Sequence, residues 1–66
     1  MAPEIVVFNP DGTMVWCGPQ RNLGRFLSDS LCPHYVCVGQ GIDGELAWHS
    51  CALCALHGVL FTRVRE

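Results

Sequence analysis

Residues 45–58, ELAWHSCALCALHG, decide the order of helices and strands in this chain, because two secondary structures fit them. Three alanines and three leucines favour one helix over residues 45–57, which Gly58 would end. Alternatively, residues 45–50 form the second strand of a hairpin, and a short helix begins near Cys51. The residue pattern does not decide between the two interpretations.

The residues before this stretch predict a hairpin, a helix and a strand. Apolar and β-branched residues at 5–8 and 13–17 flank Asn-Pro-Asp-Gly, which is typical of a turn. A helix over 20–31 is indicated by the spacing of its apolar residues, and Pro33 ends it. Residues 35–38 and 59–64 are predicted strands, the first followed by a glycine-rich turn. We therefore expect an α+β fold in ββαβαβ order, a single small domain over residues 1–66.

Composition and charge exclude several classes of protein. The 66 residues are 50% hydrophobic and 15% charged, which is typical of a folded domain rather than a disordered one. A net charge of −2 gives no basic surface for general nucleic-acid binding. No apolar run approaches the roughly 18 residues of a membrane span. The N-terminal residues are acidic and soon become polar, so they do not resemble a signal peptide. We therefore expect a cytoplasmic protein.

Four of the five cysteines form two close pairs, which suggests a metal site. Cys32 and Cys37 are spaced C-x4-C, Cys51 and Cys54 are spaced C-x2-C, and 13 residues separate the pairs. Zinc takes four thiolate or imidazole ligands, usually from two such pairs. An odd number of cysteines without an export signal argues against a disulfide framework. Buried free cysteines are the alternative, because cysteine is often a core residue.

The histidines near these pairs are further candidate ligands. His34 lies inside the first pair and could replace one of its cysteines, and His57 follows Cys54 by three positions. A turn, a hairpin and then C-x2-C at the start of a short helix resembles treble-clef zinc fingers over residues 32–58. The resemblance implies that Cys32, Cys37, Cys51 and Cys54 bind a structural zinc. The first pair departs from the commoner C-x2-C spacing.

The segment Trp16-Cys17-Gly18-Pro19 resembles the active site of the thioredoxin family. A cysteine between a strand and a helix would have a lowered pKa and could act as a monothiol redox group. However, Gln20 occupies the position of the second cysteine, so no internal dithiol can form, and the chain is shorter than that fold needs. A strand that ends in a Gly-Pro turn accounts better for these residues.

The remaining patterns predict a binding protein rather than an enzyme. The sequence contains no nucleophile elbow, phosphate-binding glycine loop or zinc-deaminase motif. We expect a small interaction module, stabilised by zinc, that binds a protein partner. A metal-free α+β inhibitor or accessory factor with buried cysteines is the second hypothesis, and a monothiol redox protein using Cys17 is the third. If residues 45–57 form one helix, its outer leucines suggest a partner surface or a homodimer contact.

Overall fold

The computed structural model describes residues 4–41 and 44–65, except for the side chains of residues 55–57. Five antiparallel strands form one sheet in the order β2-β1-β5-β4-β3, and one α-helix accompanies them. Two short 3-10 segments complete the secondary structure of the described residues. The strands are β1 (Glu4–Phe8), β2 (Met14–Pro19), β3 (Val36–Gln40), β4 (Leu46–His49) and β5 (Val59–Arg65), the helix is α1 (Leu23–Ser30), and the 3-10 segments are Gln20–Asn22 and Ala52–His57.

The predicted N-terminal hairpin is confirmed, with its turn at the Asn-Pro-Asp-Gly stretch. The Asn9 N–H donates a hydrogen bond to the Thr13 carbonyl (2.8 Å), and the Gly12 N–H donates to the Asn9 carbonyl (2.9 Å). Gly12 has a φ of 92°, which glycine adopts without strain. Strand β2 runs two residues further than expected, through Pro19. A proline is tolerated there because β2 is an edge strand.

Helix α1 packs on one face of the sheet and supplies part of the core. It is shorter than the predicted helix over 20–31, because residues 20–22 form a 3-10 turn. It connects β2 to β3, the two opposite edges, and so crosses the sheet. Apolar residues spaced along one side of this segment are buried against the strands, as the sequence predicts. The buried apolar core consists of Ile5, Val7, Leu27, Leu31 and Leu60, with Trp16, Phe26 and Trp48 among the side chains packed around it.

The prediction of a second α-helix is wrong. Residues 46–49 form β4, which pairs with both β3 and β5, and a 3-10 segment follows in place of an α-helix. The ββαβαβ order therefore becomes ββαβββ, and the hairpin alternative is confirmed. The physical reason is that neighbouring strands pair with β4 on both sides, and Trp48 adds side-chain contacts there. The Trp48 ring packs edge-on against Tyr35 (5.7 Å between centroids), and its indole N–H donates a hydrogen bond to the Thr62 hydroxyl (2.8 Å).

The opposite face of the sheet carries aromatic, aliphatic and basic side chains. Successive residues of a strand point to opposite faces, so Phe8 and Arg63 lie on the side away from Val7 and Thr62. The rings of Phe8 and Phe61, which are cross-strand partners, stack with centroids 5.9 Å apart. The Arg63 guanidinium lies 5.8 Å from the centre of the Phe8 ring. An open groove of about 540 Å³ runs along this face.

Candidate metal centre

Three cysteines from different parts of the chain meet at one end of the sheet. Cys32 follows α1, Cys51 follows β4, and Cys54 lies in the 3-10 segment before β5. Their sulfur atoms all lie within 4.8 Å of one another. Cys32 is buried, with 2% of its surface exposed, whereas Cys51 and Cys54 are half-buried. All five cysteines of the chain are free thiols.

Local backbone structure brings each sulfur to the cluster. Pro33 disfavours helical geometry at Cys32 and so ends the helical segment there. The Cys54 N–H donates a hydrogen bond to the Cys51 carbonyl (2.9 Å), and this turn places both side chains of the C-x2-C pair on the same side. The 3.9 Å contact between the sulfur atoms of Cys51 and Cys32 shows that the pair also lies close to the residues that follow α1. The cluster is therefore a product of both local spacing and sheet topology.

The spacing of the sulfur atoms suits a metal that binds thiolates. The Sγ atoms of Cys32 and Cys51 are 3.9 Å apart. A zinc–sulfur distance of 2.3 Å in a tetrahedral site places neighbouring sulfurs about 3.8 Å apart. One edge of the cluster therefore already has the length that zinc requires. The remaining sulfur pairs lie no more than 4.8 Å apart.

Hydrogen bonds in the cluster make one thiol more acidic and another less so. Burial opposes ionisation of Cys32, but backbone hydrogen bonds from Cys51 and His34 and the thiols of Cys54 and Cys51 outweigh it and lower its pKa. Hydrogen bonds to Cys51 and Cys32, with burial, raise the pKa of the Cys54 thiol to about 11. Of these two thiols, Cys32 therefore ionises more readily than Cys54. A metal bound to Cys54 would have to displace the thiol proton.

The other predicted ligands do not join this group in the described part of the chain. Cys37 is an exposed residue of β3, and its Sγ lies 3.8 Å from the Gly39 carbonyl oxygen. His34 is exposed, and its backbone N–H, not its ring, contacts the Cys32 sulfur (3.3 Å). The side chain of His57 lies outside the described residues. Of the four cysteines that the treble-clef resemblance implies, the structure brings together Cys32, Cys51 and Cys54.

One contributor to the site was missed by the sequence analysis. The His34 N–H donates a hydrogen bond to the Cys32 sulfur and helps to lower the pKa of that thiol, whereas the sequence predicts a role only for the histidine ring. A cysteine two residues before a backbone N–H can accept from it much as an Asp or Ser side chain does in a local turn. The Cys-Pro-His order, with proline just after the helix, is the signal that could have indicated this turn.

The environment of Cys17 differs from that of a reactive cysteine. Cys17 lies within β2, not at the N-terminus of a helix, and its thiol donates a hydrogen bond to a carboxylate oxygen of Glu4 (3.4 Å). Burial and the Glu4 carboxylate raise the pKa of the Cys17 thiol. A redox cysteine needs the opposite shift, because the thiolate is the reactive form.

None of the helices in residues 4–41 and 44–65 is long and apolar enough to cross a membrane.

Comparisons with known proteins add no function to this geometry. The three-cysteine cluster is thus the feature of the described residues with the clearest chemistry. The chain matches no protein-family model, no curated protein and no solved structure.

Proposed function

We propose that this protein is a small, non-enzymatic interaction module that contains a structural zinc and binds a protein partner. The convergence of Cys32, Cys51 and Cys54 is the observation that carries the proposal. Thiolates are soft ligands that favour zinc over magnesium or calcium. The raised pKa of Cys17 gives no support to redox chemistry, so the proposal leaves it out.

Zinc in this position would compensate for a small hydrophobic core. A chain of about 60 residues buries only about 60% of the surface that its unfolded form exposes, and many domains of this size need a metal or disulfides. The three cysteines belong to the end of α1, the end of β4 and the segment before β5. A metal bound to all three would therefore hold together parts of the chain that are distant in sequence. Its binding energy would add to the folding free energy.

The metal content of protein purified without added metal tests this part of the proposal. We expect one zinc per chain by elemental analysis and native mass spectrometry. Removal of the metal with a chelator should then unfold the protein, which circular dichroism would detect as loss of the strand signal. A stable, metal-free fold with five titratable thiols would contradict the zinc proposal. It would favour the second hypothesis, a metal-free binding module with free cysteines.

The groove on the sheet face opposite α1 is the proposed contact surface for the partner. Val6, Phe8 and Met14 give it apolar walls, and Arg63 and Arg65 add positive charge. Met14 is 58% exposed, and Arg63 and Arg65 are exposed as well. Aromatic and arginine residues are enriched at protein interfaces. The partner that fits is a protein segment with apolar side chains and at least one carboxylate that can pair with Arg63.

A charge reversal in the groove tests this choice of surface. We expect Arg63→Glu to lose binding of proteins that the wild type captures from an extract, because its carboxylate would repel the partner's acidic group. Arg21→Glu is the matched control, since Arg21 is an exposed arginine of the first 3-10 segment, away from the groove. Equal capture by the wild type, Arg63→Glu and Arg21→Glu would contradict the proposed surface. Capture that nuclease treatment abolishes would point to nucleic acid instead.

A further inference from the structure

Two of the clustered thiols lie close enough to react with each other. The Sγ atoms of Cys32 and Cys51 are 3.9 Å apart, whereas the bonded sulfurs of a disulfide are about 2.05 Å apart. The two residues are 19 positions apart in sequence, so the fold brings their sulfurs into contact. Both are free thiols, and an oxidant can therefore join them.

The two thiols differ in how easily a dissolved reagent reaches them. Cys51 is half-buried, whereas only 2% of the Cys32 surface is exposed. An oxidant from solution therefore meets Cys51 first, and Cys32 is the neighbouring thiol that reacts with the oxidised sulfur next. An accessible cysteine beside a second, resolving cysteine is typical of sites that form reversible disulfides.

We propose that Cys32 and Cys51 form a reversible disulfide when the protein meets a peroxide. The Cys51 thiolate attacks one peroxide oxygen, the O–O bond breaks, and a sulfenic acid forms, while the other oxygen leaves and takes up a proton. The Cys32 thiolate then attacks the Cys51 sulfur, the S–O bond breaks, and the hydroxide that leaves takes up a proton to give water. Together the two thiols lose two electrons and two protons, and the peroxide gains both.

The disulfide and the proposed zinc would exclude each other. Zinc binds the thiolate form of cysteine, so oxidation would remove two of the three clustered ligands and release the metal. The disulfide would join the residues after α1 to the residues after β4, which are two of the three segments that the metal would connect. A covalent bond would thus take the place of the metal between these segments. The inference goes beyond the proposed function, because the disulfide itself requires no metal.

Thiol mapping after peroxide treatment tests the inference. The full chain is treated with one equivalent of hydrogen peroxide, the remaining thiols are alkylated, and a protease that cleaves after Glu45 separates Cys32 from Cys51. We expect three of the five thiols to remain free. The fragments on either side of Glu45 should stay joined until a dithiol reduces the disulfide. Fragments that separate without reduction, as a disulfide between Cys51 and Cys54 would allow, would overturn the inference.

Four cysteine variants identify the bonded pair. Cys37→Ser and Cys54→Ser should still give joined fragments, whereas Cys32→Ser and Cys51→Ser should not. Cys51→Ser is the more informative of the last two, because Cys32 is buried and its replacement also changes the core. Joined fragments in Cys51→Ser, or separated fragments in Cys54→Ser, would assign the bond to another pair and overturn the inference.

A zinc measurement on the same samples separates this inference from the proposed function. A chromogenic metal indicator should detect one zinc released for each disulfide formed, and zinc that stays bound to the disulfide form would contradict the exclusion. If the disulfide forms but the reduced protein holds no zinc, the proposed zinc module fails and the disulfide site stands. If the reduced protein holds zinc and peroxide does not join the fragments, the metal site stands and the inference is overturned.

Discussion

We expect Cys32→Ser to abolish stable zinc binding, whereas Cys37→Ser should retain one zinc per chain. Cys32 is the buried member of the cluster, its sulfur lies 3.9 Å from that of Cys51, and its pKa is lowered by the hydrogen bonds that it accepts. Serine offers a weakly acidic hydroxyl in place of this thiolate. The affinity should fall by more than the roughly 10–100-fold that changes outside the ligand sphere cost.

The measurement is zinc content together with competition against a metal indicator of known affinity. Cys37→Ser is the matched control, because it makes the same chemical change at an exposed cysteine whose sulfur faces a carbonyl oxygen of its own strand. Equal losses in the two variants would mean that Cys37 is also a ligand, as the C-x4-C spacing alone suggests. Normal zinc content in Cys32→Ser would contradict the proposed centre.

Leu27→Ala should lower the free energy of unfolding by about 2–5 kcal/mol, the cost of removing a buried leucine and leaving a cavity. Leu27 is the buried residue of α1, and it belongs to the same apolar core as Ile5, Val7 and Leu60 of the sheet. The total free energy of unfolding of a small domain is about 5–15 kcal/mol. This one change should therefore remove a large share of that stability. Urea denaturation followed by tryptophan fluorescence measures the effect, because Trp16 and Trp48 pack against the same core.

Leu53→Ala is the control for this experiment. Leu53 is 95% exposed, so the same chemical change there should alter the stability by no more than about 0.5 kcal/mol. A large loss in Leu53→Ala would show that this leucine is covered in solution, for example by a second copy of the chain. A negligible loss in Leu27→Ala would show that α1 does not pack as described.

The parts of the fold that depend on neighbouring residues could be predicted from the sequence. The turn at residues 9–12 is specified by its proline and glycine, and the buried side of α1 by the spacing of Leu23, Phe26 and Leu27. Residues 45–57 could not be assigned in the same way, because alanine and leucine favour a helix locally. Strand β4 forms because β3 and β5 pair with it on both sides, and these contacts come from the fold as a whole.

The candidate site was also predictable only in part. The C-x2-C pair converges through a local turn, so the spacing of Cys51 and Cys54 is informative by itself. The C-x4-C pair is different, because the chain enters β3 after Pro33. That strand carries Cys37 along the far edge of the sheet, opposite Trp48. Sequence spacing says how far apart two cysteines can be, but the direction of the chain between them decides whether they meet.

The pairing of β1 with β5 has a consequence for how the chain folds. The two strands are neighbours in the sheet, yet their paired residues, from Phe8 with Phe61 to Glu4 with Arg65, are 53 to 61 positions apart in sequence. Contacts between distant residues slow folding, because a long loop must close before they form. A metal that joins Cys32 to the pair just before β5 would shorten that loop. Metal binding would then speed the pairing of β5 with β1, in addition to stabilising the folded sheet.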